Sequence, residues 1–147
     1  MIKKTISILF VVMALFLIFA HPASAAVKEE ANIMPLYNNT ASATSTATIS
    51  SSGVITIQNE FYGLKGTTTK ATITTYLEKK VLGLFWSRVD IGIANDEWVD
   101  TIYNYYYTGT HSYQLKSTGK YRVTVIYEIE GSGGTTDEIT VEIDKEY

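Results

Sequence analysis

The sequence predicts an all-β protein, an antiparallel sandwich of about seven strands following a cleaved signal peptide. Three observations predict it. From Gly53 onward the residues alternate apolar and polar with period two, the composition there is rich in Thr, Tyr, Ile and Val, and glycine or Asn/Asp interrupts the pattern at short intervals. No stretch of the same region carries a helical period. The chain has 147 residues, and removal of a leader leaves about 122, one domain able to bury roughly two thirds of its unfolded surface without metal or cross-links.

Met1 to Ala25 has the three parts of a secretory signal. Lys3 and Lys4 are followed by the apolar run Ile6 to Ala20 and then by Ala23-Ser24-Ala25, a small-residue cleavage site. The run is shorter than the ~20 residues that span a bilayer, and His21-Pro22 ends it. Residues 26–52 form a polar N-terminal arm. Within it, Ala41 to Ser52 reads equally as a low-complexity linker or, because Thr44, Thr46 and Thr48 alternate, as a polar edge strand. Residues 53–147 are the sandwich.

The expected strands are Gly53–Phe61, Thr68–Lys79, Leu84–Ile93, Trp98–Tyr103, Thr110–Lys116, Lys120–Glu130 and Thr136–Asp144. Side chains alternate across a sheet, so Ala71, Ile73, Thr75 and Leu77 share one face, as do Tyr121, Val123, Val125, Tyr127 and Ile129. In the last strand Ile139, Val141 and Ile143 oppose a row of acids, which fixes the register. Around Trp86 two readings stand. Strict alternation sends Phe85, Ser87 and Val89 inward and Trp86 outward, whereas a bulge near Ser87 turns Trp86 to the core. Gly131-Ser132-Gly133-Gly134 reads as a flexible hairpin loop.

The run Ser117-Thr118-Gly119-Lys120-Tyr121-Arg122-Val123 resembles the start of strand F in immunoglobulin-like domains. The resemblance implies that Tyr121 forms a tyrosine corner and that Val123 replaces the second core cysteine, with Ile73 and Trp86 at the strand B and strand C core positions. The fold expected is thus an immunoglobulin-like sandwich. The chain is also similar to small secreted proteins of Gram-positive bacteria grouped as a family of unknown function, on Met34-Pro35-Leu36-Tyr37-Asn38-Asn39, Leu84-Phe85-Trp86 and the Gly131–Gly134 run. That resemblance brings no activity with it.

Composition excludes several chemistries. The chain has no cysteine, so disulfides, thiolate nucleophiles and thiolate metal sites are absent. With His21 in the leader, His111 is the one histidine of the mature domain, and no cofactor or metal is expected. Cleavage also removes two lysines, leaving 10 basic against 15 acidic residues and a net charge of −5. Nucleic-acid and polybasic membrane binders need the opposite balance, and no second apolar run of spanning length follows the leader.

The unusual stretch is Tyr103 to Tyr113, which holds Tyr103, Tyr105, Tyr106, Tyr107 and Tyr113. Three of these are consecutive, so alternation cannot bury them all. Exposed tyrosines offer a flat apolar face with a hydrogen-bonding tip, suited to sugar rings, peptides or another protein. Tyr105, Tyr106 and Tyr107, with His111, are therefore the candidate ligand-binding residues. The competing reading is packing at the end of the sandwich, with Tyr103 and Tyr113 as core or corner residues. Asp90, Asn95, Asp96, Glu97 and Asp100 concentrate oxygens but lack a calcium-loop pattern, and Asp137-Glu138 reads as solvated chain. No nucleophile elbow accompanies His111, so a non-catalytic extracellular binding module for a cell-wall glycan or a protein is the leading expectation. A secreted protease inhibitor acting through sandwich-end loops comes second, and a small hydrolase third.

Overall fold

A computed structural model of the chain describes residues 37–147, and the predicted signal peptide lies outside the described residues. Eight strands and one 3₁₀ turn make up the fold: β1 (Thr40–Ile49), β2 (Val54–Gly63), β3 (Thr68–Val81), β4 (Phe85–Arg88), the turn Ala94–Asp96, β5 (Glu97–Ile102), β6 (Tyr106–Gln114), β7 (Lys120–Gly131) and β8 (Asp137–Glu146). They form two antiparallel sheets, a three-stranded one in the order β1-β2-β6 and a five-stranded one in which β4, β3, β7 and β8 are neighbours and β5 also pairs β3. The sheets face each other as a β-sandwich, the predicted class. β4 and β5 divide one edge of β3 between them, β4 pairing Glu78–Val81 and β5 pairing Ala71–Tyr76. No helix among the described residues is long and apolar enough to cross a membrane.

The core is the product of period-two burial. Ile55, Ile57 and Phe61 on β2 face Ala71, Ile73 and Leu77 on β3 and Val123, Val125, Tyr127 and Ile129 on β7, all fully buried. Because these residues come from both sheets, residues 37–147 hold a complete core of their own and are expected to fold independently. Polar links also cross between the sheets. Asn59 Nδ2 donates to Thr75 Oγ1 at 2.8 Å, and the Tyr127 hydroxyl donates to the Thr44 carbonyl at 2.7 Å while Ser45 Oγ lies at 2.7 Å from the same oxygen.

Residues 41–52, which read either as linker or as edge strand, hold all of β1 but its first residue, Thr40. Its inward residues Ala43, Ser45 and Ala47 are small, which leaves room for Tyr127 to reach its backbone. β1 in turn packs beside β8, closing one side of the sandwich.

Two expectations drawn from the immunoglobulin resemblance are corrected. Trp86 is not a core tryptophan: β4 runs in unbroken register from Glu78↔Arg88 to Val81↔Phe85, so no bulge turns it, and its ring faces outward beneath Arg122 and Lys80. The tryptophan that packs against the core is Trp98, on β5. Ile73 and Val123 are both fully buried, but on neighbouring strands of one sheet, whereas strands B and F of an immunoglobulin domain belong to opposite sheets. Tyr121 is buried, and its hydroxyl donates to the carbonyl of Ser117 at 2.5 Å, a bond back to backbone four residues upstream.

Candidate functional site

The side of the sandwich away from β1 and β8 is closed by β5 and β6, the outer strands of opposite sheets. On β5 the inward residues are Trp98, Asp100 and Ile102; on β6 they are Tyr107, Gly109, His111 and Tyr113. These interlock. His111 stacks on Trp98 with ring centroids 5.1 Å apart and planes 11° from parallel, and its Nε2–H donates to Asp100 Oδ2 at 2.7 Å. Tyr107 lies across Gly109, so a side chain at 109 would displace the phenol ring. Burial, followed by hydrogen bonding to Asp100, pushes the Tyr107 phenol up to about 12. A neutral phenol, a carboxylate and an imidazole thus share one half-buried seam. The His111–Asp100 bond and the Trp98 stack brace the edges of two strands from opposite sheets.

The same alternation throws Tyr106 outward, while Tyr105, just before β6, is half-buried. Tyr106 is 53% exposed and pairs across the ladder with Tyr62 on β2, itself 45% exposed. Tyr105 meets Tyr106 edge to face at 5.5 Å, and the Lys65 ammonium lies 5.9 Å from the Tyr105 ring centre. Hydrogen bonding to Glu60, two residues back on the same face, raises the Tyr62 phenol above its ordinary value. Tyr103, in the loop before β6, is 79% exposed rather than a core residue. It stands in the turn after β5, beyond the last ladder pair, where no facing strand covers it.

Thus the structure brings Tyr105 and Tyr106 together with Tyr62 on one surface and separates them from Tyr107 and His111, which face the opposite way. Tyr62 escaped the sequence reading because its partner lies 44 positions away in the ladder. The alternation of Phe61 inward and Tyr62 outward was the available signal. No family model matches this chain, and no curated protein matches it either.

A second polar cluster stands at the same end of the sandwich. Asp137, read as solvated chain, is 5% exposed. Its carboxylate accepts from the Asn38 and Asn39 backbone N–H groups at 2.9 and 2.7 Å and from Thr40 Oγ1 at 2.8 Å. Burial works to raise its pKa, but these donors outweigh it and hold the carboxyl below the ordinary value. Asn39 is fully buried and bonds the carbonyls of Ile129 and Thr135 and the N–H of Gly133. The glycine run is correspondingly not a free loop: a Cβ at Gly131 or Gly133 would run into Asn39 or Asn38. Asn38-Asn39 and the Gly131–Gly134 run, far apart in sequence, form one clamp.

The acids of the Asp90–Glu97 segment bond protein groups. Asp90 Oδ1 accepts from Gly92 N–H, Asp96 Oδ1 from Ile91 N–H, and Glu97 pairs with Arg88 at 3.6 Å. Among the described residues no group of three or more His, Asp or Glu side chains is placed to hold a metal ion.

Proposed function

We propose that this protein is a secreted, non-catalytic binding module that engages a cell-wall glycan through the tyrosine surface of Tyr62, Tyr105 and Tyr106. The observation that carries the reading is the pairing of exposed Tyr62 and Tyr106 on the outer face of the β2–β6 ladder, with the half-buried Tyr105 edge-on to Tyr106 and beside Lys65. Flat aromatic faces stack on the apolar faces of sugar rings, and hydroxyl tips and an ammonium satisfy the polar edges. Secretion rests on the leader at Met1–Ala25. The half-buried placement of His111 against Asp100 and Trp98 supports a structural role for it.

The experiment is co-sedimentation of residues 26–147 with insoluble peptidoglycan at two salt concentrations. Saturable, salt-resistant binding is expected, and the triple variant Tyr62→Ala, Tyr105→Ala, Tyr106→Ala should lose it while unfolding at the wild-type temperature. Equal binding by the variant would reject the tyrosine surface. Tyr107 is left intact because its ring packs against the core.

A further inference from the structure

The outward face of the three-stranded sheet is a grid of small, uncharged side chains. Along β1 its exposed residues are Ser42, Thr44, Thr46 and Thr48, and along β6 they are Tyr106, Thr108, Thr110, Ser112 and Gln114. The two ladders set these abreast of β2. Thr44, Glu60 and Thr108 form one row, Thr46, Gln58 and Thr110 the next, and Thr48, Thr56 and Ser112 the third. The row ahead of them is Ser42, Tyr62 and Tyr106, so the tyrosine pair stands at the head of the grid. Residues two apart in a strand are about 6.8 Å from each other, so the three rows reach about 20 Å from the tyrosines.

What this face lacks is charge. Among the outward residues of β1, β2 and β6 the one ionisable group besides the phenols is Glu60, and it is hydrogen-bonded to Tyr62. The outward face of the five-stranded sheet carries Glu78, Lys80, Arg122, Glu128, Glu142 and Asp144, among others. Strand propensity accounts for threonine on both faces, since Thr72, Thr74 and Thr140 share the charged one. It does not account for the confinement of charge to one sheet, because exposed surfaces keep proteins apart by their charges. The uncharged face is also too polar for the centre of a protein interface, where apolar and aromatic side chains dominate. Each threonine presents a methyl beside a hydroxyl, which matches the C–H faces and hydroxyl edges of a sugar ring.

We propose that this threonine face is the floor of an extended subsite for an uncharged glycan chain, which stacks at one end on Tyr62 and Tyr106 and runs along the strands over Thr108, Thr110 and Ser112. The inference rests on the glycan reading above and names the class of glycan. Neutral sugars, N-acetylated ones included, exchange hydrogen bonds with the hydroxyls and with the Gln58 amide. Polymers bearing phosphate or uronate are disfavoured, because the outward side chains of the three strands include one carboxylate and no cation. Recognition also becomes a matter of length: a disaccharide covers the tyrosine row, and a longer chain reaches the threonine rows.

The test is a titration of ¹⁵N-labelled residues 26–147 with the disaccharide and with the hexasaccharide of β-linked N-acetylglucosamine, followed by amide shifts. The hexasaccharide should bind about tenfold or more tighter, the worth of one or two net hydrogen bonds, with shifts spreading from Tyr62 and Tyr106 to Thr110 and Ser112. Thr46→Glu with Thr110→Glu, about 14 Å from the tyrosine row, should bring the hexasaccharide down to the affinity of the disaccharide and leave the disaccharide unchanged. Thr46→Val with Thr110→Val keeps side-chain shape and strand preference, and should lose most of the same gain with the fold intact. Equal affinity for the two oligomers, or undiminished hexasaccharide binding by both variants, would overturn the threonine subsite while shifts at Tyr62 and Tyr106 upheld the tyrosine reading. No shift with either oligomer would overturn the subsite, and the peptidoglycan sedimentation above then decides the tyrosine reading by itself. Tighter binding of a glycerol phosphate polymer, or a wild-type dimer that Thr46→Glu with Thr110→Glu dissociates, would give the face to another occupant and overturn the proposal.

Discussion

The hydroxyl of Tyr121 bonds back to Ser117 across a short loop, and the carboxylate of Asp137 gathers three donors from Asn38, Asn39 and Thr40. Each is a single side chain that fixes backbone which no ladder holds. Removing the first by Tyr121→Phe should cost about 1 kcal/mol, read from urea unfolding. Asp137→Asn should cost more, about 2–3 kcal/mol, since its bonds are charge-assisted and an amide would turn donors toward donors. The sign of its pH dependence follows from its depressed pKa. Asp137 binds a proton less readily folded than unfolded, so its contribution is fully present above the ordinary carboxylate range near about pH 4 and is lost as pH falls through the lower folded value. The gap in unfolding temperature between wild type and Asp137→Asn should therefore be constant from pH 7 to about pH 5 and close at lower pH. A gap independent of pH would remove the clamp from the account.

At the scale of elements, the two tryptophans have opposite fates because their strands present opposite faces. Trp98 points between the sheets and stacks on His111, whereas Trp86 points outward under two cations. Trp98→Ala should destabilise by about 2–3 kcal/mol, and Trp86→Ala by less than about 1 kcal/mol, the range of an exposed cation–π contact. The reverse ranking in thermal unfolding would mean that β4 is turned over. The faces of β3, β7 and β8 were legible in the sequence because bulky Ile, Val and Leu alternate there against Thr, Glu and Arg. β1 was legible only as one of two possibilities, since its inward Ala43, Ser45 and Ala47 are small and what makes them a strand is Tyr127, some 80 residues distant. Asp137 shares the period of Ile139, Val141 and Ile143 and so carried a signal of burial, but its partners Asn38 and Asn39 showed no period of their own. The direction of Trp86 depended on a bulge, and periodicity cannot report whether one residue is inserted.

At the scale of the whole molecule, the sandwich has two unlike ends. One carries exposed tyrosines beside the Asn39–Asp137 clamp, the other an apolar hairpin tip above interleaved cations and acids. Composition averages over both. Of the candidate site, Tyr105 and Tyr106 were readable from the consecutive tyrosines, while the joining of Tyr62 and the exclusion of Tyr107 and His111 are properties of the β2–β6 ladder.

The measurement that tests the account most directly is a titration of ¹⁵N-labelled residues 26–147 with soluble peptidoglycan fragments, followed by amide chemical shifts. The tyrosine reading predicts saturable shifts at Tyr62, Lys65, Tyr105 and Tyr106, with Trp98 and His111 unmoved. Saturable shifts confined to other residues, or none at millimolar fragment, would contradict it.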